Sequence, residues 1–218
     1  PVTKNEVNNK LKRLPAYLYS HNDQQKLWMR GQSSANTAVG WGGALSDYME
    51  ASNTGLQSLS PSISIAGSNL FQVGRMTLPF TLSSGGAPTL TRFRHDAGNA
   101  DREVDASYSP VLQDEYALVG ESAIELNGSL RTVLDPANGG DIATVFPAGG
   151  LASQLRMVAR MIKASRTAAI GHRRQVYYVS LGGFDTHENQ MAANGHGALL
   201  KQLADSLAAF RAALAEIG

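Results

Sequence analysis

A carboxylate and an imidazole one residue apart, Asp185 and His187, follow the paired glycines Gly182 and Gly183, and a further imidazole, His196, comes nine residues later. Carboxylate oxygen and imidazole nitrogen are donors that Zn²⁺ and other divalent ions take from proteins. Glycines let a backbone bend sharply, so both side chains of the pair can turn toward one point. Plainer readings stand beside this one. Asp185 serves equally as a helix N-cap, His187 as a solvated residue of a first turn, and His196 as an exposed one without a role. Asn189 and Gln190 can orient ligands from behind, or simply cap.

Ser20-His21-Asn22-Asp23 forms a second constellation. A serine at a helix start has backbone N–H groups and the helix dipole beside it, which suits a phosphate or sulfate and a nucleophile attacking one. Helix capping explains Ser20 without any chemistry, because Asp23 completes a capping-box variant. His21 and His95 read equally as exposed loop residues. There is no Gly-x-Ser-x-Gly elbow, no Walker-type loop and no His-Glu-x-x-His. The glycine pairs 42–43, 85–86, 139–140 and 149–150 fit turns better than phosphate cradles.

The elements that must position these groups follow from periodicity. Gln175 to Leu181 is a short run rich in β-branched and aromatic residues, the pattern of a strand buried on both faces. Asp185 and His187 then lie just past its carboxyl end, where open α/β sheets place ligands. Leu199, Leu200, Leu203, Leu207, Phe210, Leu214 and Ile217 mark a final helix with His196 near its start. Leu151, Leu155, Val158, Met161 and Ile162 mark the helix before the strand. Helix, strand, helix predicts an α/β layer with helices on a parallel sheet.

Upstream, helices are expected from Ser20 to Gly31 and from Trp41 to Ala51, with an extended segment at Leu14–Tyr19 and a loop at 32–37. A long helix opens at Ser109-Pro110 and carries the stripe Leu112, Tyr116, Val119, Ala123, Leu126, Leu130 and Val133. Residues 56–95 change character: Ser62-Ile63-Ser64-Ile65 alternates with period two, and 71–73 and 76–78 do so weakly between turn signals. Strands or hairpins, a cap over a cleft, are expected there. The organisation is thus 1–55 helical core, 56–108 β-rich cap or insertion, and 109–218 α/β core.

A length of 218 residues suits one sizeable domain at ~150 residues per domain. A formal net charge of +1 with no basic stripe argues against nucleic acid as partner. Nothing approaches the ~20 apolar residues of a transmembrane segment. The absence of cysteine removes disulfides and thiolate ligands, and is compatible with export.

With these residues in place, the chain resembles the DUF1501 family, bacterial relatives of the alkaline phosphatase and sulfatase superfamily. The resemblance rests on Ser20-His21-Asn22-Asp23-Gln24-Gln25 with Trp28, on Gly40-Trp41-Gly42-Gly43, on Ile65 to Gly74, on Leu151-Ala152-x-Gln154-Leu155, and above all on Val179 to Gln190. It implies an alkaline-phosphatase-like sheet flanked by helices, incomplete because family members are longer at both ends, so that the chain reads as an internal fragment. It implies periplasmic or secreted localisation through a twin-arginine signal. Asp185, His187 and His196 would belong to a divalent-metal cluster (Zn, Ca, Mg or Mn), and Ser20-His21 would fall near the superfamily's nucleophile. The implied function is metal-dependent hydrolysis of phosphate or sulfate esters, on small molecules or polysaccharides. The alternative is a non-catalytic exported binding or surface-assembly protein on a degenerate scaffold.

Overall fold

The computed structural model of the chain describes residues 3–11, 20–31, 38–88 and 110–218, with side chains in the last stretch from 122 onward. The segment expected at Leu14–Tyr19, the loop at 32–37, His95, the Ser109 cap and the stripe positions Leu112, Tyr116 and Val119 lie outside the residues so described. In chain order the elements are α1 (Lys4–Asn8), α2 (His21–Arg30), α3 (Trp41–Glu50), β1 (Ser62–Ser64), a 3₁₀ turn (Leu70–Gln72), β2 (Phe80–Thr81), α4 (Pro110–Leu134), a 3₁₀ turn (Pro136–Asn138), α5 (Gly150–Ser165), β3 (Val176–Tyr178) and α6 (His196–Ile217).

The strands form a parallel sheet in the order β2-β1-β3, and the architecture is α/β. Of the strands or hairpins expected over 56–95, the described residues 56–88 supply two strands, β1 and β2, which pair in parallel. β1 is the central strand, with Ile63 opposite Phe80 on one side and Tyr177 on the other. Its alternating serines are buried rather than facing water. Ser62 Oγ donates to Gln72 O (3.1 Å) and Ser64 Oγ donates to Gly67 O (2.5 Å), so their hydroxyls are satisfied inside the fold. The weakly alternating 71–73 becomes part of a 3₁₀ turn, capped by Asn69 Oδ1 on the Gln72 N–H.

Ile63 enters the main core with Leu59, Leu82, Leu130 of α4, and Met157 and Met161 of α5. The opposite face of α5 meets α6 around Ile142, Ala159 and Ala213. The α6 seam runs through Leu203, Ser206, Phe210, Ala213 and Ile217, at helical spacings of three and four. Leu200, Leu207 and Leu214, read from sequence as part of that stripe, lie beside the seam and are exposed. β3 likewise departs from expectation. Only three residues pair, and they are half-buried, because among the described residues β3 is an edge strand.

The glycines at 42–43 are not a turn either. They open α3, whose buried face consists of Gly42, Gly43 and Ser46. A Cβ on Gly43 would stand 2.1 Å from the Val73 carbonyl carbon, and one on Gly42 would stand 2.4 Å from the Phe71 ring. Only glycine lets α3 approach the 70–74 segment this closely. Helix propensity would favour alanine at Gly43 by about 1 kcal/mol, but the backbone in its way cannot yield. Gly43→Ala is therefore expected to destabilise the fold by about 1–3 kcal/mol. Gly128→Ala in α4, with open space around the position, is expected to stabilise it by up to about 1 kcal/mol. Denaturant melts of the two variants should move in opposite directions.

Asp47 fastens the other end of that contact. Its carboxylate accepts from the N–H groups of Arg75 (2.7 Å), Met76 (3.2 Å) and Thr77 (2.8 Å), and from the Thr77 hydroxyl. Desolvation pushes its pKa up, yet the four hydrogen bonds together outweigh this and hold it below the ordinary 3.8. A depressed folded-state pKa adds stability that is complete above 3.8 and disappears as the pH falls through the lower folded value. Asp47→Asn should thus lower Tm at neutral pH and flatten the Tm profile below pH 3.8, with Asp47→Ala costing about 1–3 kcal/mol. An unaltered acid limb in Asp47→Asn would remove this assignment.

Candidate functional site

All three strands point the same way, so the segments leaving β1 and β3 emerge at one edge of the sheet. From β1 the chain runs through 65–69 into the 3₁₀ turn with Phe71. From β3 it runs through Ser180 into the loop 182–187. Gln154 of α5 secures the beginning of that loop, donating from Nε2 to Ser180 O (3.1 Å) and accepting the Ser180 N–H on Oε1 (2.9 Å). Gln154 is thus a backbone clamp.

Helix α2 arrives at the same edge by aromatic packing. It has no buried residue of its own. Trp28 stacks on Phe71 (centroids 5.8 Å, planes 22° apart) and meets Trp41 edge-on at 6.0 Å. Phe71 in turn lies against Trp41 (4.5 Å) and Tyr178 at the end of β3 (5.8 Å). Ser20 starts the helix, its Oγ accepting the Asp23 N–H at 3.4 Å, and Gly31 ends it in the left-handed conformation.

The consequence is a convergence from opposite ends of the chain. His21 Nδ1, in the first turn of α2, lies 3.0 Å from Asp185 Oδ2. His187 Nε2 lies 3.4 Å from Asp185 Oδ1. One carboxylate thus stands between two imidazoles, each facing a different oxygen. All three side chains are open to water, 64% for His21, 63% for Asp185 and 83% for His187. Solvent at that exposure screens their attraction strongly, so the cluster adds little to stability.

Of the residues singled out in the sequence, His21, Asp185 and His187 meet. Ser20 is the cap of α2, with its hydroxyl engaged at that helix start. His196 faces its own loop, its Nε2 lying 2.9 Å from Phe184 O and 2.8 Å from Thr186 Oγ1. Sequence reasoning kept His21 and Asp185 in separate constellations, and no local pattern could have joined them.

The donor types suit a divalent ion. Two bonds of about 2.0–2.2 Å at tetrahedral angles put neighbouring ligand atoms about 3.3–3.6 Å apart, and the Oδ1···Nε2 separation of 3.4 Å falls there. The His21 approach to the second oxygen is the kind of outer contact that fixes a ligating carboxylate. Among the described residues no group of three or more His, Asp or Glu could enclose an ion. Remaining coordination positions would fall to water or substrate oxygen. Two clefts, of about 320 and 530 Å³, lie elsewhere. The smaller opens at the amino ends of the strands beside His172, whose pKa is lowered by desolvation, partly countered by its hydrogen bond with Leu56 O (3.0 Å).

The geometry makes the position of His21 depend on Trp28. Trp28→Ala is expected to accelerate amide exchange throughout His21–Arg30 while leaving α5 and α6 protected. Hydrogen exchange resolved by segment measures this, and unchanged exchange in α2 would contradict it.

Compared with models of known protein families, with curated proteins and with solved structures, the chain matches none.

Proposed function

We propose that the chain carries part of the active site of a metal-dependent hydrolase of phosphate or sulfate esters, exported and related to the alkaline phosphatase superfamily through the DUF1501 family. The observation that carries this reading is the Asp185 carboxylate set between His21 and His187 at the carboxyl edge of a parallel sheet. Asp185 Oδ1 and His187 Nε2 would hold a divalent ion. When bound, the ion supplies Lewis-acid polarisation of an ester oxygen.

The chain's own groups do the rest. Asp185 Oδ2 orients His21 through Nδ1, leaving His21 Nε2 to accept a proton from an attacking hydroxyl or water. Ser20, next to His21, is the hydroxyl nearest in sequence to that base. As the cap it accepts a hydrogen bond from Asp23 N–H and keeps its own proton available to donate.

A second reading is favoured by the openness of the cluster. A binding or surface-assembly protein needs no sheltered site, whereas excluded water strengthens catalytic electrostatics. Aryl phosphate and aryl sulfate substrates, assayed with added Zn²⁺, Mn²⁺, Mg²⁺ or Ca²⁺, separate the two readings. Metal-stimulated turnover supports the hydrolase, and its absence with every ion supports the binder.

Metal content gives the sharper measurement. Asp185→Ala and His187→Ala should each lose stoichiometric metal. His21→Ala should retain it with affinity reduced about 10–100-fold, the usual effect of removing an outer partner. Equal metal content in the wild type, Asp185→Ala and His187→Ala would falsify the metal assignment.

A further inference from the structure

The imidazole of His196 does not join the cluster, and its contacts explain what it does instead. Its Nε2 lies 2.9 Å from Phe184 O, the carbonyl immediately before Asp185, and 2.8 Å from Thr186 Oγ1, on the residue between Asp185 and His187. Its ring lies against Phe184, with centroids 5.9 Å apart. Residues 184 and 186 are thus gripped from one side, while Asp185 meets both His187 and His21. A carbonyl only accepts, so Nε2 carries the proton toward Phe184 O and has no lone pair to offer an ion.

The backbone repeats the grip. Thr186 N–H donates to Phe184 O (3.0 Å), closing a tight turn around Asp185. Gln190 Nε2 donates to Thr186 O (3.1 Å), and His196 N–H donates to Gln190 O (3.0 Å). Gly195 is required beside it, since a Cβ there would stand 2.3 Å from Gln190 O. The start of α6, the longest helix after the sheet, is thereby tied to the two residues that flank the Asp185 carboxylate.

We infer that His196 is a positioning residue, which holds Asp185 and His187 at mutual reach by anchoring the Phe184–Thr186 turn to the first turn of α6. It rests on the metal-site reading above and replaces the expectation that His196 is itself a ligand. An exposed loop without such an anchor would sample many orientations, and both side chains would have to be ordered when metal binds.

His196→Gln and His196→Ala separate these roles, because a glutamine amide can still donate to Phe184 O but is a poor ligand for a transition metal. Metal stoichiometry and affinity should survive in His196→Gln to within about threefold, and affinity should fall about 10–100-fold in His196→Ala and more mildly in Thr186→Val. Amide exchange at Thr186, measured on the metal-free protein, should speed up in His196→Ala and return toward wild type in His196→Gln. Loss of metal in both His196 variants alike would overturn positioning in favour of ligation, and wild-type affinity and exchange in His196→Ala would overturn it altogether. If Asp185→Ala leaves metal content unchanged, the metal-site reading itself has failed. In that case the exchange data alone decide whether His196 anchors the turn.

Discussion

The contact between the start of α3 and the Phe71 segment is the constraint on which the functional edge depends. Gly42 and Gly43 remove the side chains that would keep the two backbones apart, and Asp47 gathers the amides of residues 75–77 about one turn further along the same helix. Phe71 is then fixed against Trp41, Tyr178 and Trp28. Through Trp28 the contact reaches α2, and through α2 it reaches His21. Two blocks that looked like motifs in the sequence, Gly40 to Gly43 and Ile65 to Gly74, are the two sides of this packing surface. Their residue types answer a steric requirement, and chemistry enters only downstream.

Burying serines in the central strand is the complementary device. An all-aliphatic β1 would match the hydrophobicity of a sheet interior, but it could not also fold the following loop back onto the strand. Ser62 and Ser64 bond to Gln72 O and Gly67 O, Asn69 Nδ2 donates to Gln72 Oε1 (2.9 Å), and Gln72 Nε2 donates to Val176 O (3.3 Å). The network ties the loop after β1 to the neighbouring strand. A fully satisfied polar network of this kind rigidifies, whereas a half-satisfied one costs more than an apolar core would. The rigidity appears where it matters, beneath Phe71.

Local signals read well from the sequence, and long-range ones did not. Ser20 as a cap, Gly31 as a stop, α5 with its broad apolar face, and a strand followed by the Asp185 loop were all legible, since each depends on neighbours within a turn or two. The place of β1 was not, because period-two Ser-Ile alternation ordinarily means one wet face, and nothing local announces that the serines find partners inside. β2, with two residues, is too short to carry any pattern. Leu200, Leu207 and Leu214 count with the other apolar residues of α6 in the sequence, yet they stay exposed beside the row that α5 covers. The site itself was half legible: the Asp185–His187 pair lies in one loop, while the meeting with His21 is created by α2 packing.

That last point decides what kind of cluster this is. An exposed carboxylate between two imidazoles gains at most about 1 kcal/mol from each pairing, and screening by salt reduces it further. Such a sum cannot draw a helix into place from the far end of the chain. Stacking of Trp28 on Phe71 contributes more, since aromatic pairs add about 0.5–1.5 kcal/mol beyond the apolar area they bury. The order of causes therefore runs from packing to charge: aromatic contacts fix α2, the turn around Asp185 is held from behind, and the three polar groups are brought together as a result. The cluster is thus assembled by packing elsewhere in the fold and returns little to its stability.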